Sequence, residues 1–142
     1  VIGVTLSGPF FMSQRFGQEM IKAEKGGKII SLASQAGIVS IDKHVAYSAS
    51  KAGVISMTKS LAYEWGKYGI QVNSISPTVT KTPMTEGFWY EEPRHTKTIE
   101  NTPAGRYCQP VEIACAALFL ASDASNMVTG ENLVVDGGYT IH

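Results

Sequence analysis

Gly26-Gly27-Lys28-Ile29-Ile30-Ser31-Leu32-Ala33-Ser34 is the stretch whose reading decides the fold. A glycine pair, a short β-branched run and then small residues form the pattern of a buried strand feeding a loop. Upstream, Val4 to Lys25 carries Leu6, Phe10, Phe16 and Met20 at helical spacing and Lys22 and Lys25 at its far end, so a helix is expected to run up to the glycine pair. Downstream, Val54, Met57, Leu61 and Trp65 recur three or four residues apart and predict a second helix over 46–67, ended by Gly69. Ile70 to Ile75, with Ile and Val alternating on one face, reads as the next strand, closed by Pro77. Val111 to Ala121 reads as a third helix with Pro110 near its first turn, apolar on most sides and expected to be buried, and Leu133 to Val135 as a last short strand. Helix alternating with strand predicts an α/β domain in which right-handed crossovers build a parallel sheet with helices on its faces.

All 142 residues fit a single domain. With 44% hydrophobic and 17% charged residues, the chain can build a core and lacks the signature of disorder. Twelve basic against 12 acidic residues leave no electrostatic footprint for a nucleic-acid backbone or an anionic membrane, so small molecules or protein surfaces are the expected partners. The longest uncharged run, Val1 to Gln14, is broken by Gly3, Gly8 and Pro9 and is shorter than the roughly 20 apolar residues of a membrane span. Cys108 and Cys115 form neither a CxxC pair nor a disulfide framework, which fits a reducing, cytoplasmic setting. Because Val1 stands inside an apolar helical pattern, the chain is expected to be part of a longer one.

Ser76 to Gln109 departs from compactness: 34 residues with four prolines, against the usual connection of about 4 to 6. Such a segment reads as a lid. Phe88, Trp89 and Tyr90 within it are apolar enough to cover a ligand; a short helix or a subunit contact is the plainer reading.

In an open parallel sheet, ligands bind beyond the carboxyl ends of the strands. The loop after the first strand places Ser34 there, and the helix after it opens with Tyr47-Ser48-Ala49-Ser50-Lys51, where Tyr47 and Lys51 share a face one turn apart. A free phenol titrates near ~10, too high to release a proton at neutral pH, but an adjacent ammonium favours phenolate. Tyr47 is therefore a candidate acid/base, Lys51 its activator and a donor for a sugar hydroxyl, and Ser34 a donor that holds a substrate oxygen. Taken singly, Ser34 could be a loop cap, Tyr47 a half-buried aromatic and Lys51 a solvated charge.

Ser34, Tyr47 thirteen residues later and Lys51 together resemble the signature of the short-chain dehydrogenase/reductase family. The resemblance continues through Gly27-Lys28-Ile29-Ile30, Val72-Asn73-Ser74-Ile75-Ser76-Pro77 and Thr129-Gly130 to Val135-Asp136-Gly137-Gly138, nearly the whole chain. It implies a Rossmann-type parallel sheet with helices on both faces, whose N-terminal half lies before Val1. It also implies an NAD(P)-dependent oxidoreductase interconverting a secondary alcohol and a ketone. Ser34 then orients the substrate oxygen, Tyr47 transfers the proton, and Lys51 lowers the tyrosine pKa and binds the nicotinamide ribose of NAD or NADP. Pro77, Val79 and Thr82 line the nicotinamide. The substrate class implied is a sugar, polyol or 3-oxoacyl compound, and the assembly a homodimer or homotetramer whose first two helices cross a subunit boundary.

Two positions depart from the family pattern. Thr5 stands where an asparagine usually holds a water in the proton relay, and Thr78 replaces the glycine of a Pro-Gly pair. No Gly-rich loop opens a helix here, so no helix N-terminus is prepared for a pyrophosphate. These departures keep a second reading in play, a noncatalytic oligomeric or binding module of the same fold.

Other motifs carry less. His44, His95 and His142 lack metal spacing; His44, three residues before Tyr47, and Met84, at the entrance to the lid, could each face a substrate or serve packing alone. Cys108 and Cys115 read as small apolar fillers, and Asp136-Gly137-Gly138 as a tight turn. Ser48-x-x-Lys51 and Ser56-x-x-Lys59 match an acyl-enzyme motif, but Ser-Asp-Asn is absent and Lys81-Thr82-Pro83 is not Lys-Thr-Gly, which removes that class.

Overall fold

The computed structural model describes residues 1–141. His142 lies outside the described residues. Helix α1 spans Gly8–Ala23, β1 Gly27–Leu32, α2 Val45–Trp65, β2 Ile70–Pro77, α3 Arg94–Glu100, α4 Pro110–Ala121 and β3 Asn132–Val135. The three strands are parallel in the order β1-β2-β3, with Ile29 opposite Val72 and Ile75 opposite Leu133.

The expected helix over Val4 to Lys25 is two pieces. Gly3–Ser7 is a π-helical turn, in which Gly8 N–H reaches back five residues to the Gly3 carbonyl, and α1 begins beside Pro9. Proline has no N–H to continue the regular ladder, so the register changes there. The helix also stops before the glycine pair: Glu24 takes the left-handed conformation at φ 54° and closes the last turn onto Ile21. The pair serves the strand starts instead, since a Cβ on Gly26 would lie 2.5 Å from the Gly69 carbonyl oxygen.

Strand β2 is buried on both faces. Ile70 and Val72 face α1 and α2, packing with Ile29, Met57, Leu61, Ala62 and Trp65, while Ile75 lies on the opposite side, not on the one face expected of it. Ile70, Val72 and Ile75 are fully buried, and each contributes about 1.5–3 kcal/mol relative to exposure. On the other face, Lys28 donates from its ammonium to the Ser122 carbonyl at 2.7 Å and to Ser125 Oγ at 3.0 Å, and Gln71 reaches the Ser125 and Val128 carbonyls. The chain just past α4 therefore covers the face opposite α2.

That placement corrects two expectations. With β1, β2 and β3 advancing in one direction across the sheet, α2 and α4 on opposite faces give the two crossovers opposite hands, so they cannot both be right-handed. Nor is α4 buried. Leu120 is its one buried residue, whereas Val111, Leu118 and Phe119 are exposed, because the helix meets the sheet along a single stripe.

Candidate active site

The carboxyl edge of the sheet gathers the ends of β1 and β2 beside the first turn of α2. Past Leu32 the chain turns through a short 3-10 segment, Gln35–Gly37, whose first N–H groups need a cap; Ser34 Oγ accepts from Ala36 N–H at 3.1 Å. That use leaves the hydroxyl hydrogen of Ser34 available. Gly37 lets this turn lie flat on α2, for a Cβ there would sit 2.7 Å from the Lys51 carbonyl carbon.

Lys51 donates to the Leu32 carbonyl at 2.7 Å, and its ammonium stands 5.6 Å from the centre of the Tyr47 ring. Partial burial pushes the ammonium below the ordinary lysine value. One of its three donors is committed to Leu32, leaving two. The Tyr47 hydroxyl makes no hydrogen bond among the described residues, so it too is open to a ligand. Leu32 as the partner of Lys51 was invisible in the sequence, because a backbone carbonyl has no residue signature.

Tyr47 and Lys51 line a groove of about 820 Å³ that follows the unpaired edge of β1 and the facing side of α1. Thr5 and Met84 line it as well, so the threonine that replaces the family's asparagine reaches the same space as the proposed acid/base, and Met84 does meet the cleft. Ser34 does not line the groove; it is 9% exposed and lies on the loop behind Leu32. Pro77, half-buried, ends β2, Val79 is buried, and Thr82 donates its N–H to Thr85 Oγ1 at 3.0 Å; none of the three lines the groove. Thr78 faces elsewhere too. It lines a separate cavity of about 70 Å³ with Arg106, Cys108 and Glu112, and its buried hydroxyl has no partner there.

Residues 76–109 form an excursion with a closed neck. Thr80 bridges Cys108, with Lys81 N–H to the Cys108 carbonyl at 2.8 Å and Cys108 N–H to the Val79 carbonyl at 3.0 Å. Short helix α3 lies within it. At its tip, the rings of Phe88 and Trp89 stand 6.0 and 5.8 Å from His44, whose ring is 6.2 Å from Tyr47. Burial pushes the Cys108 thiol up to about 11, so it is an inert filler, but Cys115 is exposed and fills nothing. No cluster of metal-ligating side chains occurs among the described residues. No helix among them is long and apolar enough to cross a membrane.

Residues 1–140 match the family model described as Enoyl-(Acyl carrier protein) reductase. The chain belongs to the short-chain dehydrogenase/reductase family. It is 51% identical over 138 residues to the NAD-dependent glycerol dehydrogenase of Listeria innocua serovar 6a, covering 97% of this chain and 54% of that protein. It is 50% identical to the D-threitol dehydrogenase of Mycolicibacterium smegmatis, with 99% and 53% covered. Among solved structures, the gluconate 5-dehydrogenase of Burkholderia cenocepacia J2315 in complex with NADP and tartrate superposes with a TM-score of 0.93 at 35% identity, covering 98% of this chain and 54% of that one. This short-chain dehydrogenase/reductase chain thus spans about half the length of the curated relatives it matches.

Proposed function

We propose that the protein is an NAD(P)-dependent oxidoreductase that interconverts a secondary alcohol and a ketone, acting on a small polyol or sugar. The observation that carries this reading is the pairing of Tyr47 with Lys51 at the end of the groove, the ammonium 5.6 Å from the ring and fixed by Leu32. The names of the relatives support the substrate class, since glycerol and threitol are uncharged polyols.

In this mechanism Ser34 donates its free hydroxyl hydrogen to the substrate oxygen and holds it toward Tyr47. Tyr47 takes the carbinol proton in oxidation and returns it in reduction. The Lys51 ammonium lies beside the phenol ring of its neighbour, and its two remaining donors fit vicinal ribose hydroxyls, which makes Lys51 the residue that would hold the cofactor. Pro77, Val79 and Thr82, at the end of β2, would line the nicotinamide. The nicotinamide, when bound, accepts or supplies the hydride. The lid excludes water through Phe88 and Trp89.

Homodimeric or homotetrameric assembly belongs to the same reading. Phe10 and Phe11 of α1 and Val111 and Leu118 of α4 are exposed, and a second copy covering them would remove apolar surface from water. The two free cysteines favour a reducing compartment such as the cytoplasm.

Incubating the enzyme with glycerol, threitol or galactitol and NAD or NADP tests the proposal. Appearance of reduced nicotinamide absorbance is expected with at least one pair. Absence of turnover with every alcohol and ketone tried, alongside intact cofactor binding, would favour the noncatalytic module.

A further inference from the structure

The lid is pinned at its neck by the Thr80–Cys108 bridge, but its aromatic tip needs a separate anchor. Tyr107, 6% exposed on the returning strand of the lid, donates its hydroxyl to the Trp89 carbonyl. A phenol has one hydrogen, and Trp89 uses it. His95 Nδ1, 3.0 Å from the same oxygen, must therefore be the donor in that contact, which places its proton on Nδ1. Tyr90 completes the cluster, stacked on His95 at 5.5 Å and 16° and edge-on to Tyr107 at 4.9 Å. On its far side Trp89 meets His44, whose own Nδ1 is fixed on the Asp42 carbonyl at 2.6 Å, and His44 in turn meets Tyr47.

We propose that Tyr107 is a positioning residue for the reaction: its hydroxyl, fixed by His95, holds the Trp89 backbone so that the tip of the lid stands over His44 and Tyr47. The catalytic meaning of this clasp rests on the oxidoreductase reading above. Burial keeps Tyr107 above the ordinary tyrosine value, so it stays a protonated donor at neutral pH. Among the described residues, no hydrogen bond joins Tyr107 or His95 to Ser34, Tyr47, Lys51, Pro77, Val79 or Thr82. Loss of the clasp falls on the closed lid, and so on substrate binding, while proton transfer and cofactor binding are left alone.

The test is Tyr107→Phe in enzyme labelled with 5-fluorotryptophan, with the fluorine resonances of Trp65 and Trp89 assigned by replacing each with phenylalanine in turn. The Trp89 resonance is expected to shift or broaden while that of Trp65 stays. KM for the alcohol should rise about fivefold to tenfold, the scale of one hydrogen bond, with kcat and cofactor Kd within about twofold. An unmoved Trp89 resonance overturns the proposal, and so does a KM that stays put or rises in step with the cofactor Kd. If Tyr107→Phe fails to fold, His95→Phe, at a half-buried position, decides in its place; it keeps a ring against Tyr90, removes the donor to Tyr107 and should move the same readouts in the same direction. Should the unmodified enzyme oxidise no alcohol, the oxidoreductase reading fails, and the fluorine spectrum alone still decides whether Tyr107 holds Trp89.

Discussion

Lys51 and Leu32 are joined by a hydrogen bond of 2.7 Å that ties the first turns of α2 to the end of β1. The same ammonium stands 5.6 Å from the centre of the Tyr47 ring, so one side chain meets both the strand that leads to Ser34 and the tyrosine.

Lys51→Ala should therefore lower kcat by about two orders of magnitude or more, the scale of losing an acid/base group's activation, and weaken cofactor binding as well. Steady-state kinetics with a cofactor titration read both effects. A change confined to stability would assign Lys51 to the fold alone.

Gly17 on α1 is packed so closely on Trp65 of α2 that an added Cβ would lie 2.4 Å from the indole ring. Gly17→Ala should destabilise the protein by about 1–3 kcal/mol, the usual range for overpacking, and Gly17→Ala combined with Trp65→Leu should recover part of the loss. Denaturant unfolding of the single and double variants measures this. Equal stability of Gly17→Ala and the unmodified protein would contradict the packing described.

Glu112, in the first turn of α4, accepts two bonds from Arg106 and one from Gln109 N–H at 2.7 Å. The Arg106 guanidinium beside it holds its carboxyl down to about 2, from an ordinary 4.5. A carboxyl depressed in the folded state stabilises it above the ordinary value and loses that contribution as pH falls toward 2. Melting curves of the unmodified protein and Glu112→Gln should accordingly differ most above about pH 4.5 and converge on acidification. Curves parallel from pH 7 to 2 would sink this assignment.

The sequence reading reached the alternation of elements and the Tyr47–Lys51 pair because both are local. Period and spacing are set by a single helix or strand, and Val54, Leu61 and Val72 are buried as their periodicity implies. What it missed is relational. The face that α4 covers follows from Lys28 and Gln71 reaching carbonyls more than 50 residues downstream, and the register change at Gly3–Ser7 from one missing N–H at Pro9. The excursion over residues 76–109 is legible from its length and prolines, whereas the contact of Tyr107 with a backbone carbonyl and His95 is encoded by no spacing rule.

The central claim is that the Tyr47 hydroxyl moves the proton, and Tyr47→Phe removes that oxygen and nothing else. In Tyr47→Phe, kcat for alcohol oxidation should fall by about 100-fold to 10,000-fold while the cofactor Kd stays within about threefold. A Tyr47→Phe enzyme that keeps most of its turnover would contradict that claim.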